Sequence, residues 1–287
     1  MIGLLIVSII CASLNGVLLN QSKLTDKSKL FSFNFFVSVL WLLILTIWML
    51  IEKSFTFTVN DAVFGIIYGV VQVLFLVFKS GAMSAGPVSV TSLAANCSLF
   101  LSTILGIVIW QESISEWQIA GLVVLVVSVI MTVSGKGDKK ITKSWAVLTV
   151  FFFIFSAGVG LVFKAFSKSG AGNPTNMMII AAATMVVLFL CVNLVENKGL
   201  HVKNYFHKKT LLLILICGVF SCIYNKLNIY LAGELDSIIF FPSFNGGVLC
   251  LSSILGVIIL KEKMNWVRVT GLVLGLCSII MIGVLGS

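Results

Sequence analysis

Few side chains within the long apolar stretches of this sequence carry chemistry. The densest group is Tyr224-Asn225-Lys226-Leu227-Asn228. A lysine at the centre of a membrane-crossing helix opposes insertion by about 2.5–3.5 kcal/mol, so it needs a partner, water or a route to the interface. Lys226 stands about five residues from the end of its apolar run, which leaves two roles open. Its stem could snorkel to the interface or pair with Glu234 or Asp236, or its ammonium could meet a substrate carboxylate or phosphate in a cavity. In the second role Asn225 and Asn228 would be its hydrogen-bond partners. Tyr224 and Asn228 are four residues apart and share a helical face, with Asn225 and Lys226 flanking it.

The remaining candidates are scattered. Asn15, Gln72, Asn96 and Asn245 are neutral polar residues in apolar runs, each suited either to a ligand or to a neighbouring helix. Asn245 opens Asn-Gly-Gly, where a bare backbone permits close approach, and Phe240, Phe241 and Phe244 precede it as possible cavity walls. Lys79 and Lys164 lie near the ends of their runs, where interfacial anchoring competes with a cavity role. The acidic residues Glu52, Asp61, Glu112, Glu116, Glu196, Glu234, Asp236 and Glu262 all fall at run ends or in loops. An embedded carboxylate for proton/cation exchange is therefore not expected. The embedded ionisable groups read as lysines, which suit anionic, zwitterionic or neutral cargo.

No catalytic, metal or cofactor site is expected. Walker A, HExxH and GxSxG motifs are absent, and His201 and His207 share a loop without suitably spaced carboxylates. The 7 cysteines sit in apolar runs without a CxxC pair and read as small core residues.

These residues must be held by elements that cross a bilayer. The chain has 287 residues, 59% hydrophobic and 10% charged, with a mean hydropathy of +1.15. That composition excludes a soluble globular protein. Apolar runs of about 20 residues match a helix crossing the hydrocarbon core, and they lack the alternation of a β-barrel. Ten helical spans are expected, near 2–20, 31–51, 62–80, 88–110, 116–134, 145–167, 174–195, 211–231, 237–260 and 266–285. The first reads as a retained span, not a signal peptide. The net charge of +9 sits on loop lysines, which orient the chain and meet anionic headgroups and give no reason to expect nucleic acid.

The chain is a duplication. Residues 102–131 and 252–281 align without a gap, 150 positions apart, with twelve of thirty residues identical, among them Gly106/Gly256, Glu112/Glu262 and Gly121/Gly271. The halves are expected at 1–135 and 145–287, joined by a basic loop at 136–144. Five spans per half is an odd number, so the copies are expected in opposite orientations, as an inverted repeat. Ala94, Ser98, Ser102 and Gly106 recur every fourth residue, and Ser252/Gly256 and Gly271/Gly275 repeat the spacing, a pattern that lets helices approach closely. Fifteen Lys/Arg fall in the loops after spans 1, 3, 5, 7 and 9, Lys79 counted among them. The positive-inside rule puts those loops in the cytoplasm and both termini outside.

Ten spans in two copies, each fourth helix ending in a Gly-(apolar)-Glu run before a Gly-bearing fifth helix, resembles the drug/metabolite transporter superfamily. Its ten-span EamA-like branch is the best match, over essentially the whole chain. The sequence departs from many relatives in placing Leu99 and Leu249, not Pro, in the middle of helices 4 and 9, with Pro242 earlier. Relatives commonly have cytoplasmic termini, which the lysine distribution opposes here. Asn225-Lys226 is loosely similar to the Asn-Lys pair of nucleotide-sugar transporters in the same superfamily. The resemblance implies alternating access around a cavity lined by helices 1, 3, 4, 6, 8 and 9.

The expected function is secondary transport of small polar metabolites, such as amino acids or related anionic and zwitterionic compounds, across the plasma (inner) membrane by a monomer. A cation or multidrug efflux carrier, a channel and a membrane enzyme acting on lipid-linked substrates are the alternatives.

Overall fold

Backbone amides in a bilayer have no water to bond, so apolar runs of this length satisfy them internally as helices. A computed structural model describes residues 1–21, 27–133, 142–197, 208–260 and 265–285. Among them are ten α-helices: α1 (Ile2–Gln21), α2 (Lys27–Glu52), α3 (Val59–Ala85), α4 (Val88–Trp110), α5 (Glu116–Val133), α6 (Lys143–Lys168), α7 (Pro174–Asn197), α8 (Lys208–Glu234), α9 (Ser237–Leu260) and α10 (Trp266–Ile280), the last continuing as a π-turn, Met281–Leu285. Nine are long and apolar enough to span a membrane; α5 is a shorter apolar helix. The protein is an all-α, multi-pass integral membrane protein.

Local chemistry sets several boundaries. α3 starts at Val59, earlier than the apolar run suggests, because Thr58 and Asp61 form a capping box: Asp61 N–H donates to Thr58 Oγ1 (3.1 Å) and Thr58 N–H to Asp61 Oδ2 (2.8 Å). It continues to Ala85, where Gly86-Pro87 stops it. Lys79 is therefore six residues inside the helix, not in the loop that follows. Asp61 is also fully buried, its Oδ1 accepting the Asn173 N–H (2.7 Å), so a run-end position did not make it an interfacial residue.

The helices pair in a pattern that repeats after five. α2 packs on α7, α4 on α9 and α5 on α10. α3 packs on α6 and α7, as α8 packs on α1 and α2; α4 packs on α6, as α9 packs on α1. This exchange of partners is compatible with the expected inverted repeat. The small residues form the seams: Ser128 Oγ donates to the Gly271 carbonyl (2.6 Å), and a Cβ on Gly275 would meet Ser128 Oγ at 2.7 Å. Residues 136–141 of the basic loop and most of the orienting lysines lie outside the described residues, as do His201 and His207, while Lys143 begins α6.

Candidate functional site

A cavity of about 430 Å³ occupies the space between the helices, a volume suited to a small metabolite. It is lined by α1–α4 and α6–α9, so α2 and α7 join the six helices that the resemblance implied, while α5 and α10 contribute nothing.

Each lining helix offers one face at helical spacing. α1 presents Ala12, Asn15, Gly16 and Leu19; α3 presents Gln72, Phe75, Leu76 and Lys79. α8 presents Cys217, Ser221, Tyr224, Asn225 and Asn228. Lys226 is one residue past Asn225, hence about 100° round the helix, and points away from the cavity. Its Nζ instead lies 3.0 Å from Glu52 Oε1 and 4.2 Å from the Trp48 ring centroid. The cavity role for Lys226 is thus corrected, and its partner is Glu52 on α2, not Glu234 or Asp236. Asn96 is likewise absent from the lining; its Nδ2 donates to the Ser92 carbonyl (2.8 Å), on a different face from Ser98, Leu99 and Ser102.

The cavity brings together the other candidates, Asn15, Gln72, Tyr224, Asn225, Asn228 and Asn245. Some are committed to the scaffold. Asn225 Oδ1 accepts from the Tyr68 hydroxyl (3.0 Å) and its Nδ2 donates to the Ser221 carbonyl (2.7 Å). Asn228 Oδ1 accepts from Ser8 (2.6 Å), and Asn245 Nδ2 donates to the Phe241 carbonyl (2.9 Å). The Tyr224 hydroxyl is within hydrogen-bonding reach of Asn225 and Asn15. Two amide oxygens differ: Asn15 Oδ1 and Gln72 Oε1 are buried and have no donor among the described residues. A buried acceptor without a partner is costly, and a ligand donor would satisfy it.

Among the described residues of the lining Lys79 is the cationic side chain, and none is Asp or Glu. It makes no ion pair with a described residue; its Nζ lies 5.5 Å from the Phe75 ring centroid. On α3 it stands seven residues from Gln72, about 10 Å along the helix axis. Aromatic rings wall the space: Trp41, whose indole N–H donates to Ser221 (2.7 Å), and Phe163, which stacks on buried Tyr68 with centroids 4.4 Å apart. Tyr68 and Trp41 were not legible as site residues, since an aromatic in an apolar run has no distinguishing sequence signal. Among the described residues no group of three or more His, Cys, Asp or Glu could hold a metal ion.

Lys164 is no interfacial anchor. It is fully buried, with a side-chain exposure of 0%, and pairs with Glu112, which is 6% exposed. The expectation that embedded ionisable groups are lysines alone is corrected accordingly. Glu112 follows the last turn of α4 in sequence yet is enclosed by α6 and α9.

Comparison with known proteins agrees with this architecture. Residues 1–134 match the model of the EamA-like transporter family. An uncharacterized protein of Haemophilus influenzae is 24% identical over 213 residues, spanning 72% of this chain and 69% of the relative. A protein of known crystal structure superposes with a TM-score of 0.79 at 12% identity, covering 98% of this chain and 96% of the other, which shows a shared fold.

Proposed function

We propose that this chain, whose residues 1–134 match the EamA-like transporter family, is a secondary carrier of small anionic or zwitterionic metabolites. One observation carries the reading: among the described residues the cavity holds a lysine ammonium without a carboxylate counter-charge, together with two amide oxygens that have no donor. A ligand carboxylate or phosphate would supply the missing anion at Lys79. Donors elsewhere on the ligand, such as an ammonium or hydroxyl, would satisfy Asn15 and Gln72. The aromatic walls would pack an apolar portion. Two five-helix halves in opposite orientation would rock around this site to expose it to either side, within a single chain in the plasma membrane with its termini outside. The same composition argues against a permanent cation as cargo, since Lys79 would repel it.

The test is a thermal-shift screen of the purified protein against amino acids, phosphorylated metabolites and cationic drugs, on wild type and Lys79→Met. A ligand that binds the folded state raises its stability. Anionic or zwitterionic hits that vanish in the variant support the proposal; cationic hits that persist overturn it. Counterflow in proteoliposomes with the same compounds separates a carrier from a channel.

A further inference from the structure

At one end of the bundle the last turns of α2, α4, α6 and α8 meet the first turns of α3, α7 and α9. Two ion pairs tie this end, and each runs between the halves of the chain. Glu52 and Glu112 come from the first half; Lys226 and Lys164 come from the second.

The inner pair is built with care for every polar atom. Gln111 takes a left-handed conformation (φ 53°) after α4, which turns Glu112 back toward the bundle. Glu112 Oε2 accepts the backbone N–H of Ser237 (2.6 Å), Oε1 accepts the Ser237 hydroxyl (3.2 Å), and Lys164 pairs with the same carboxylate. Lys164 Nζ also donates to the Leu235 carbonyl (3.2 Å) and lies 5.4 Å from the Trp110 ring centroid. The N-terminus of α9, which needs an acceptor, thus takes it from a residue 125 positions away in the other half. Gly106 lets Ser237 reach this place, since a Cβ there would overlap the serine side chain. Gly233 likewise seats Ser167, and Gly160 seats Phe241. Immediately beneath lie Phe163, Phe240 and Phe241, all buried, which close the cavity floor. Toward the opposite end the lining extends to Leu19, Phe33 and Lys79.

We infer that Glu112, Lys164 and Ser237 form a latch that shuts the cavity at this end, with Glu52–Lys226 as its outer clasp. The inference rests on the alternating-access reading and adds which contacts must break for the second state. A buried ammonium and carboxylate cannot part gradually without leaving each other unpaired, so the end is either closed or open as a unit. By the loop lysines the latched end faces outside, and the state seen here takes ligand from the cytoplasm.

Hydrogen exchange of the full chain in nanodiscs tests this without a known substrate. Glu112→Gln keeps an acceptor for Ser237 but removes the charge; Lys226→Met breaks the half-exposed clasp and spares the core. Glu112→Gln is expected to speed exchange about tenfold at the latched end (residues 105–113 and 235–243), and Lys226→Met, at an exposed pair, about threefold. Both are also expected to slow it at the opposite end (87–93 and 143–150), which closes as the latch opens. A merely structural pair would give faster exchange at both ends, or no change at either, and that result overturns the latch. Proteoliposome counterflow by the same variants keeps the readings apart: counterflow without reciprocal exchange removes the latch and leaves the carrier standing.

Discussion

Lys226 reaches from α8 to Glu52 at the end of α2, Nζ to Oε1 3.0 Å, and lies over the Trp48 ring. The pair is partly exposed and belongs to the end of the bundle, one step of helical rotation away from the cavity face. Lys226→Ala is therefore expected to leave ligand-induced stabilisation intact and to cost no more than about 1 kcal/mol in apo stability. Thermal titrations with an anionic ligand check this; a lost response would return Lys226 to the binding site.

Lys79→Met should do the reverse. A hydrogen bond to a charged group contributes about 1.5–3 kcal/mol, so affinity for a carboxylate or phosphate ligand falls about 10- to 100-fold. Isothermal titration on wild type and variant reads the ratio, and an unchanged Kd would remove the ammonium from recognition.

Gln72→Met and Asn15→Leu each delete a buried, unpartnered amide oxygen. For Gln72→Met the free protein should hold its stability or gain up to about 1 kcal/mol, because no internal bond is lost with the oxygen; Asn15→Leu also gives up the contact of its amide with the Tyr224 hydroxyl, which offsets that gain. Ligand binding should weaken. For Gln72→Met this opposition of signs would not appear if the oxygen were bonded within the scaffold, in which case apo stability would drop.

Gly106→Ala places a methyl group on the Ser237 side chain. Overpacking of a tight seam costs typically about 1–3 kcal/mol, visible as a lower thermal midpoint. Adding Ser237→Gly, which clears the space, should restore part of the loss; no recovery would place the strain elsewhere.

Lys164→Met leaves the Glu112 carboxylate buried without its cation, a change expected to cost about 3–5 kcal/mol. Combining it with Glu112→Gln removes the stranded charge and keeps an acceptor for the α9 N-terminus. The double variant should therefore be more stable than Lys164→Met alone in chemical denaturation, and equal stabilities would argue against a charge penalty.

Much of the fold was legible because a bilayer leaves the chain few choices. An apolar run of about twenty residues must be a helix, and an ungapped repeat that holds Gly106…Glu112 and Gly256…Glu262 declares a duplication. Helical spacing also placed Tyr224 and Asn228 on one face, and the cavity uses that face. By itself, then, the sequence determined the class of protein, the number of helices and a set of polar side chains too costly to lie in lipid.

Which of those side chains meet was decided by tertiary packing. Lys79, Lys164 and Lys226 look alike in sequence, each a lone cation near the end of an apolar run. Their fates diverge through surroundings that local sequence does not name: the open cavity for Lys79, Glu112 and the start of α9 for Lys164, Glu52 and Trp48 for Lys226. A charge in a low-dielectric medium is governed by what lies within a few ångströms, and the carboxylates that pair with Lys164 and Lys226 come from helix ends 52 and 174 residues away.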